Sequence, residues 1–194
     1  MSIARWPLPT RFLHLGLAAA VTAQLFVSLV MEPPADQKAG EAMAAFAYEI
    51  HETVGLFALA VVLLHWLWSL AQTGEGNWRH LLPWGAQGRR EVMADLRGLA
   101  QQRLPEGGPR GGLPGLVHGL GLLAVTAMAL SGGLLFLYLP EHGEPHGWVE
   151  IVEEFHETIA ALVWTYWGAH IAMGVLHQLT SPDYNVRDMF KLTR

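Results

Sequence analysis

No cysteine occurs in the 194-residue chain. That absence excludes disulfides, thiolate metal sites, iron–sulfur clusters and the C-x-x-C-H attachment of c-type haem. Charge is also scarce: 15% of the residues are Asp, Glu, Lys or Arg, against about 25% in ordinary soluble domains. The shortage is concentrated. Residues 12–31 (FLHLGLAAAVTAQLFVSLVM), 53–71, 113–140 and 158–182 carry none of these four residue types. Crossing the hydrocarbon takes about 20 mainly apolar residues, so membrane spans are predicted near 12–31, 50–71, 114–139 and 155–179. Helices satisfy their own backbone in lipid, and these segments lack the amphipathic stripes of a soluble bundle. The expected fold is all-α, an integral membrane four-helix bundle. The first apolar run continues through Leu25–Met31, too long for a usual signal-peptide core, which predicts a retained helix.

Basic residues are missing from one side. Arg5 and Arg11 precede the first span; Arg79, Arg89, Arg90, Arg97, Arg103 and Arg110 lie between spans two and three; Arg187, Lys191 and Arg194 follow the fourth. Lys38 is the single basic residue of the two remaining loops. The positive-inside rule therefore places both termini and the 72–113 loop in the cytoplasm. The outer loops are left acidic, with Glu32, Asp36, Glu41 and Glu49 in one and Glu141, Glu144, Glu150, Glu153 and Glu154 in the other. Such a surface could steer a basic partner, or could simply be what remains once basic residues are removed. With a net charge of −5, membrane lipid is expected as the surroundings and nucleic acid is not a partner.

What the sequence does contain is a repeated phrase. EIHETVGLF at 49–57 returns as EFHETIAAL at 154–162, and RFLHLGLAAAVTA at 11–23 resembles GLVHGLGLLAVTA at 115–127. The first two spans thus read as a diverged copy of the last two, an internal two-helix repeat of the kind related by an axis along the membrane normal. The chain is expected to form a single membrane domain over 1–194. Between its halves, REVMADLRGLAQQRL at 90–104 predicts a short helix on the inner membrane surface, with Val92, Leu96 and Leu99 on one face and Trp78 and Trp84 as anchors. PEGGPRGGLPG then reads as a flexible linker.

Each copy of the phrase carries a second histidine fourteen positions on: His65 after His51, and His170 after His156. Fourteen residues return a helix to nearly the same face, about 21 Å along its axis. Histidines facing one another across helices at two depths suit a pair of six-coordinate haems, which take an imidazole from each side. A lone membrane histidine is often an interhelical hydrogen-bond donor instead. Glu52 and Glu157 adjoin His51 and His156, so a His–Glu metal site is a further reading, although zinc gathers three or four ligands at one depth and the second histidines would go unused. Internal symmetry alone would pair His65 with His170, while His14 should lie at a similar depth. Spacing leaves that choice open.

PLPTRFLH in the first span, EIHETVGLF in the second and FHETIAALVWTYWGAHIAMGVLHQLTSPDYNVRDMF through the fourth resemble the bacterial cytochrome b561 family. That family includes four-helix di-haem proteins and is similar to the cytochrome b subunits of membrane hydrogenases and formate dehydrogenases. The resemblance covers nearly the whole chain apart from 72–112. It implies two haem b groups, low-spin and bis-histidine, with iron held by His51 and His156 toward the outside and by His14 and His170 toward the inside. Two departures stand out. Leu15 occupies a place where the family usually has Trp, and His65 one where relatives commonly have Arg.

The resemblance implies a bacterial inner-membrane protein passing electrons between a periplasmic partner, such as a c-type cytochrome or a dehydrogenase subunit, and ubiquinone or menaquinone. Other readings are a stand-alone superoxide:quinone oxidoreductase and, without redox chemistry, a histidine-lined metal transporter or a membrane anchor. On this basis His65 is a candidate propionate or quinone contact, and Arg11 a candidate propionate partner or headgroup anchor. His177 reads as a propionate or quinone contact or as a helix-end residue. His118 reads as a packing hydrogen bond. His142 and His146 read as solvated loop residues rather than a metal site.

Overall fold

The structure, a computed structural model, describes residues 6–33, 42–73, 77–106, 108, 110–140, 143–180 and 187–190. Among these described residues seven helices follow in order: α1 (Leu8–Val27), α2 (Ala42–Ala71), α3 (Trp78–Leu81), α4 (Ala86–Ala100), α5 (Gly112–Tyr138), α6 (Trp148–Thr180) and α7 (Arg187–Phe190). No strand occurs among the described residues. Helices α1, α2, α5 and α6 are long and apolar enough to cross a membrane, in agreement with the four predicted spans. Their large apolar side chains are widely exposed, among them Phe12, Phe57, Leu67, Leu137, Leu162 and Leu179. In water so much exposed apolar surface would drive association; lipid tails solvate it.

The helix ends differ from the predicted spans for identifiable reasons. Helix α1 starts at Leu8 because Pro9 in the first turn removes only an N–H that the helix does not use. It stops at Val27, where Val30 N donates to Val27 O at 3.1 Å in a closing turn. Helices α2 and α6 start at Ala42 and Trp148, well before the predicted 50 and 155. The uncharged runs are bounded by Glu52 and Glu157, but a helix continues beyond the hydrocarbon. Acidic side chains such as Glu150 in the first turn of α6 complement the positive end of the helix dipole.

The chain divides into two compact units, residues 16–63 with 124–165, and residues 1–15 with 64–123 and 166–194. Each of the four long helices contributes a stretch to both. The first of these units has a core made largely of small and β-branched residues, Ala20, Ala47, Ala58, Val61, Val62, Ala124 and Val163, with Leu17 and Leu25. Small side chains let helices approach closely, which is how packing is gained when lipid is as apolar as the partner. Gln24 of α1 ties to α2, its Nε2 donating to the His51 carbonyl at 2.7 Å. Gly55 leaves the room: a Cβ there would stand 2.7 Å from that nitrogen.

The second unit is held by polar contacts as well. Trp68 Nε1 donates to the buried Thr10 hydroxyl at 2.9 Å. Gly115 and Gly119 of α5 receive the backbone of His80 and Leu81, since a Cβ at either would strike those carbonyls. Helix α4 runs from Ala86 to Ala100 rather than from 90 to 104; the chain turns out at Gln102, whose φ is +58°. None of its residues is buried, and Trp84, Met93 and Leu96 are exposed. The segment read as a flexible linker is anchored at both ends. Asp95 pairs with the Arg110 guanidinium and accepts from Leu113 N at 2.9 Å, capping α5, while His177 Nε2 lies 3.0 Å from the Pro105 carbonyl.

Candidate functional site

Within the unit of residues 16–63 and 124–165, α2 and α6 bring the rings of His51 and His156 to a centroid separation of 6.3 Å, at 80° to one another. Helix α5 supplies the support. His156 Nδ1 lies 2.8 Å from Ser131 Oγ, and Ser131 is 4% exposed. Gly132 follows, where a Cβ would come within 3.0 Å of His156 Cε1. The His51 Nδ1 atom is buried without a hydrogen-bond partner.

Within the other unit, α1 and α6 bring His14 and His170 to 6.1 Å, at 50°. This pair is more crowded. His118 of α5 stands edge-on to His170 at 5.2 Å, and Tyr166 stacks on His170 at 5.4 Å with 19° between the planes. Gly121 makes the stack possible, since any Cβ there would run into the Tyr166 ring. His118 Nδ1 is satisfied by the Pro114 carbonyl at 2.7 Å, and Trp6 packs on the ring at 6.0 Å. His65 is turned to its own helix, with Nδ1 at 3.3 Å from Ser69 Oγ. The Nδ1 atom of His14 is buried and unpartnered.

These separations can be tested against a haem. A metal–imidazole bond is about 2 Å and the ring centre lies roughly 1 Å beyond the nitrogen, so two imidazoles on opposite sides of one ion stand about 6 Å apart, centre to centre. The pairs at 6.1 and 6.3 Å meet that requirement. The His118–His170 pair at 5.2 Å is too close for it. In each fitting pair one Nδ1, that of His51 or of His14, is buried with no protein partner, as is that of His80 outside the pairs. Among the described residues no three His, Asp or Glu side chains gather as they would around a bare metal ion. The His–Glu metal reading therefore finds no cluster here.

The remaining histidines are placed as follows. His177 is buried, with Nδ1 at 2.9 Å from the Met173 carbonyl and Nε2 on Pro105, which makes it a helix-end tie. His146 is exposed and near the Glu144 carbonyl at 3.3 Å. His142 lies outside the described residues, as do Arg5, Asp36, Lys38, Glu41, Glu141, Lys191 and Arg194. Arg11 Nε donates to the Trp6 carbonyl at 2.7 Å. Sequence reasoning did not single out Ser131, Gly132, Gly121 or Tyr166. No periodic signal marks them, because their roles come from a neighbouring helix.

A family model for prokaryotic cytochrome b561 matches residues 5–191, nearly the entire chain. No curated protein and no solved structure matches it.

Proposed function

The chain belongs to the prokaryotic cytochrome b561 family, and on that premise we propose that it holds two b haems and passes electrons between a periplasmic redox partner and the membrane quinone pool. Membership implies a membrane di-haem electron-transfer cytochrome b. In our reading one haem sits between His51 and His156 and the other between His14 and His170. The observation that supports this ligand set is the matched pair of ring separations, 6.3 and 6.1 Å. His65, the choice that internal symmetry favours, has its Nδ1 at 3.3 Å from Ser69 Oγ, and it is His14 that stands at the required separation from His170.

When bound, haem supplies a one-electron iron couple. The protein's own part would be to offer an imidazole from each of two facing helices to each iron, a donor set that favours electron transfer over oxygen binding. Helix α6 provides a ligand to each pair, fourteen residues apart, so the rotation of one helix aims both. Gln24 clamps α2 at the His51 carbonyl, which sets the facing ligand. Tyr166 and His118 wall off the second pair.

The charge asymmetry supports an orientation with both termini in the cytoplasm of a bacterial inner membrane. The His51–His156 pair then belongs to the periplasmic side. Glu49, Glu144, Glu150, Glu154 and Glu157 are exposed and would meet a basic donor such as a c-type cytochrome. Ubiquinone or menaquinone would exchange electrons at a membrane interface.

The test is the oxidised and dithionite-reduced visible spectrum of detergent-purified protein, with haem and protein quantified. Two low-spin b haems per chain are expected. His14→Ala should remove one of them and His65→Ala neither. Loss of a haem in His65→Ala with retention in His14→Ala would overturn the assignment.

A further inference from the structure

Ser131 stands apart among the polar side chains near the two pairs. It is 4% exposed, it lies within α5, and its hydroxyl meets a ring nitrogen that belongs to another helix. Its proton is already committed. Oγ is 2.9 Å from the Ala127 carbonyl and 3.0 Å from the Met128 carbonyl of its own helix, and a carbonyl can only accept. A hydroxyl has one proton, so toward His156 the oxygen presents a lone pair and His156 Nδ1 donates. That fixes the tautomer: the proton is on Nδ1, and the Nε2 lone pair is free for a metal.

Sterics act in the same direction. The absent side chain of Gly132 lets the His156 ring lie against α5, since a Cβ would be 3.0 Å from Cε1. The facing ring has no such support, because the Nδ1 atom of His51 is without a partner. Nor is His14 supported at Nδ1. Hydroxyl support of a ring is thus confined, among the four proposed ligands, to His156 in the contacts described.

We propose that Ser131 is a positioning residue that holds His156 in its ligating tautomer and lowers the reduction potential of the haem between His51 and His156 relative to what the imidazole pair would give unaided. The inference rests on the ligation reading above. An Nδ1–H that donates to an acceptor makes the imidazole a stronger electron donor. Stronger donation stabilises the ferric ion over the ferrous one, so the potential falls. Removing the acceptor reverses the sign.

The experiment is potentiometric titration of the full-length protein in detergent, followed in the visible spectrum, for Ser131→Ala, Ser131→Cys and Ser131→Thr. His156→Ala is titrated beside them to identify the wave that belongs to this haem. In Ser131→Ala that wave should move upward while the other stays in place. The reduced-to-oxidised ratio at fixed poise should rise by roughly threefold to tenfold, the upper figure being about 59 mV for a one-electron couple. Thr restores the hydroxyl and should return the wave to its native position. Cys preserves volume with a weaker acceptor and should lie between, which covers the case where Ala does not take up haem.

Equal movement of both waves, no movement in Ala and Cys, or a Thr variant displaced as far as Ala would overturn the proposal. Retention of both haems in His156→Ala would instead overturn the ligation reading. Loss of one haem in His156→Ala with no response at Ser131 would leave that reading standing and remove only the role of Ser131.

Discussion

The two histidine pairs are nearly equal in separation, 6.3 Å for His51–His156 and 6.1 Å for His14–His170, and unlike in everything around them. In the first, His156 Nδ1 meets the Ser131 hydroxyl of α5 and Gly132 lies against its ring. The second is surrounded by rings, with Tyr166 stacked on His170 and His118 edge-on to it. In the ligation proposed above, the spacing of two imidazoles around one metal would be set by bond lengths and would have little freedom. The surroundings are free to vary, and they govern how firmly each ring is held and how strongly it donates. Two sites with the same ligands can thereby differ in affinity and potential.

The largest effect expected is on occupancy. His156→Ala and His170→Ala should each reduce the haem content from two per chain to one, and the double variant should hold none. Haem-to-protein ratios in purified membranes measure this. Retention of a haem in the double variant would erase the distinction between the pairs.

A smaller effect should come from the glycines, and it should fall unequally. Any side chain at Gly121 would run into Tyr166, whereas a Cβ at Gly132 meets a single ring atom at 3.0 Å. Gly121→Ala should therefore weaken haem retention at the His14–His170 pair by about tenfold, the lower end of what is lost with a ligand's supporting contacts. Gly132→Ala should do less at the other pair. Competition for haem with an apo-globin would rank the two.

The smallest effect is one of stability alone. Asp95→Ala removes the cap on α5 at Leu113 N and the ion pair with Arg110, at a cost of about 1–2 kcal/mol. A lower melting temperature with both potentials unchanged is the expected result. A changed potential would mean that this end of α5 communicates with the histidines.

Much of this arrangement was legible in the residues. Four uncharged runs indicated four membrane helices, and the paired His-x₁₃-His spacing singled out histidines on α2 and α6. The ends of α2 and α6 were missed because the absence of charge measures hydrocarbon, while a helix continues into the headgroups. The choice between His14 and His65 was not legible either. Both are near the same level of their helices, and only the rotation of α1 and α2 decides which ring faces His170. The repeat adds an instructive case: His14 and His118 occupy equivalent places in the two halves, and both rings flank His170. A separation of 6.1 Å against 5.2 Å distinguishes them, and sequence has no means of expressing it.

Composition and spacing were enough for an all-helical membrane protein with histidines presented in pairs, because burial in lipid and the 3.6-residue turn act along one chain segment at a time. The support of His156 by Ser131, the stacking of Tyr166 and the crowding by His118 arise between helices distant in sequence. They depend on helix rotation and on ångström-scale approach, which become definite only when the helices pack.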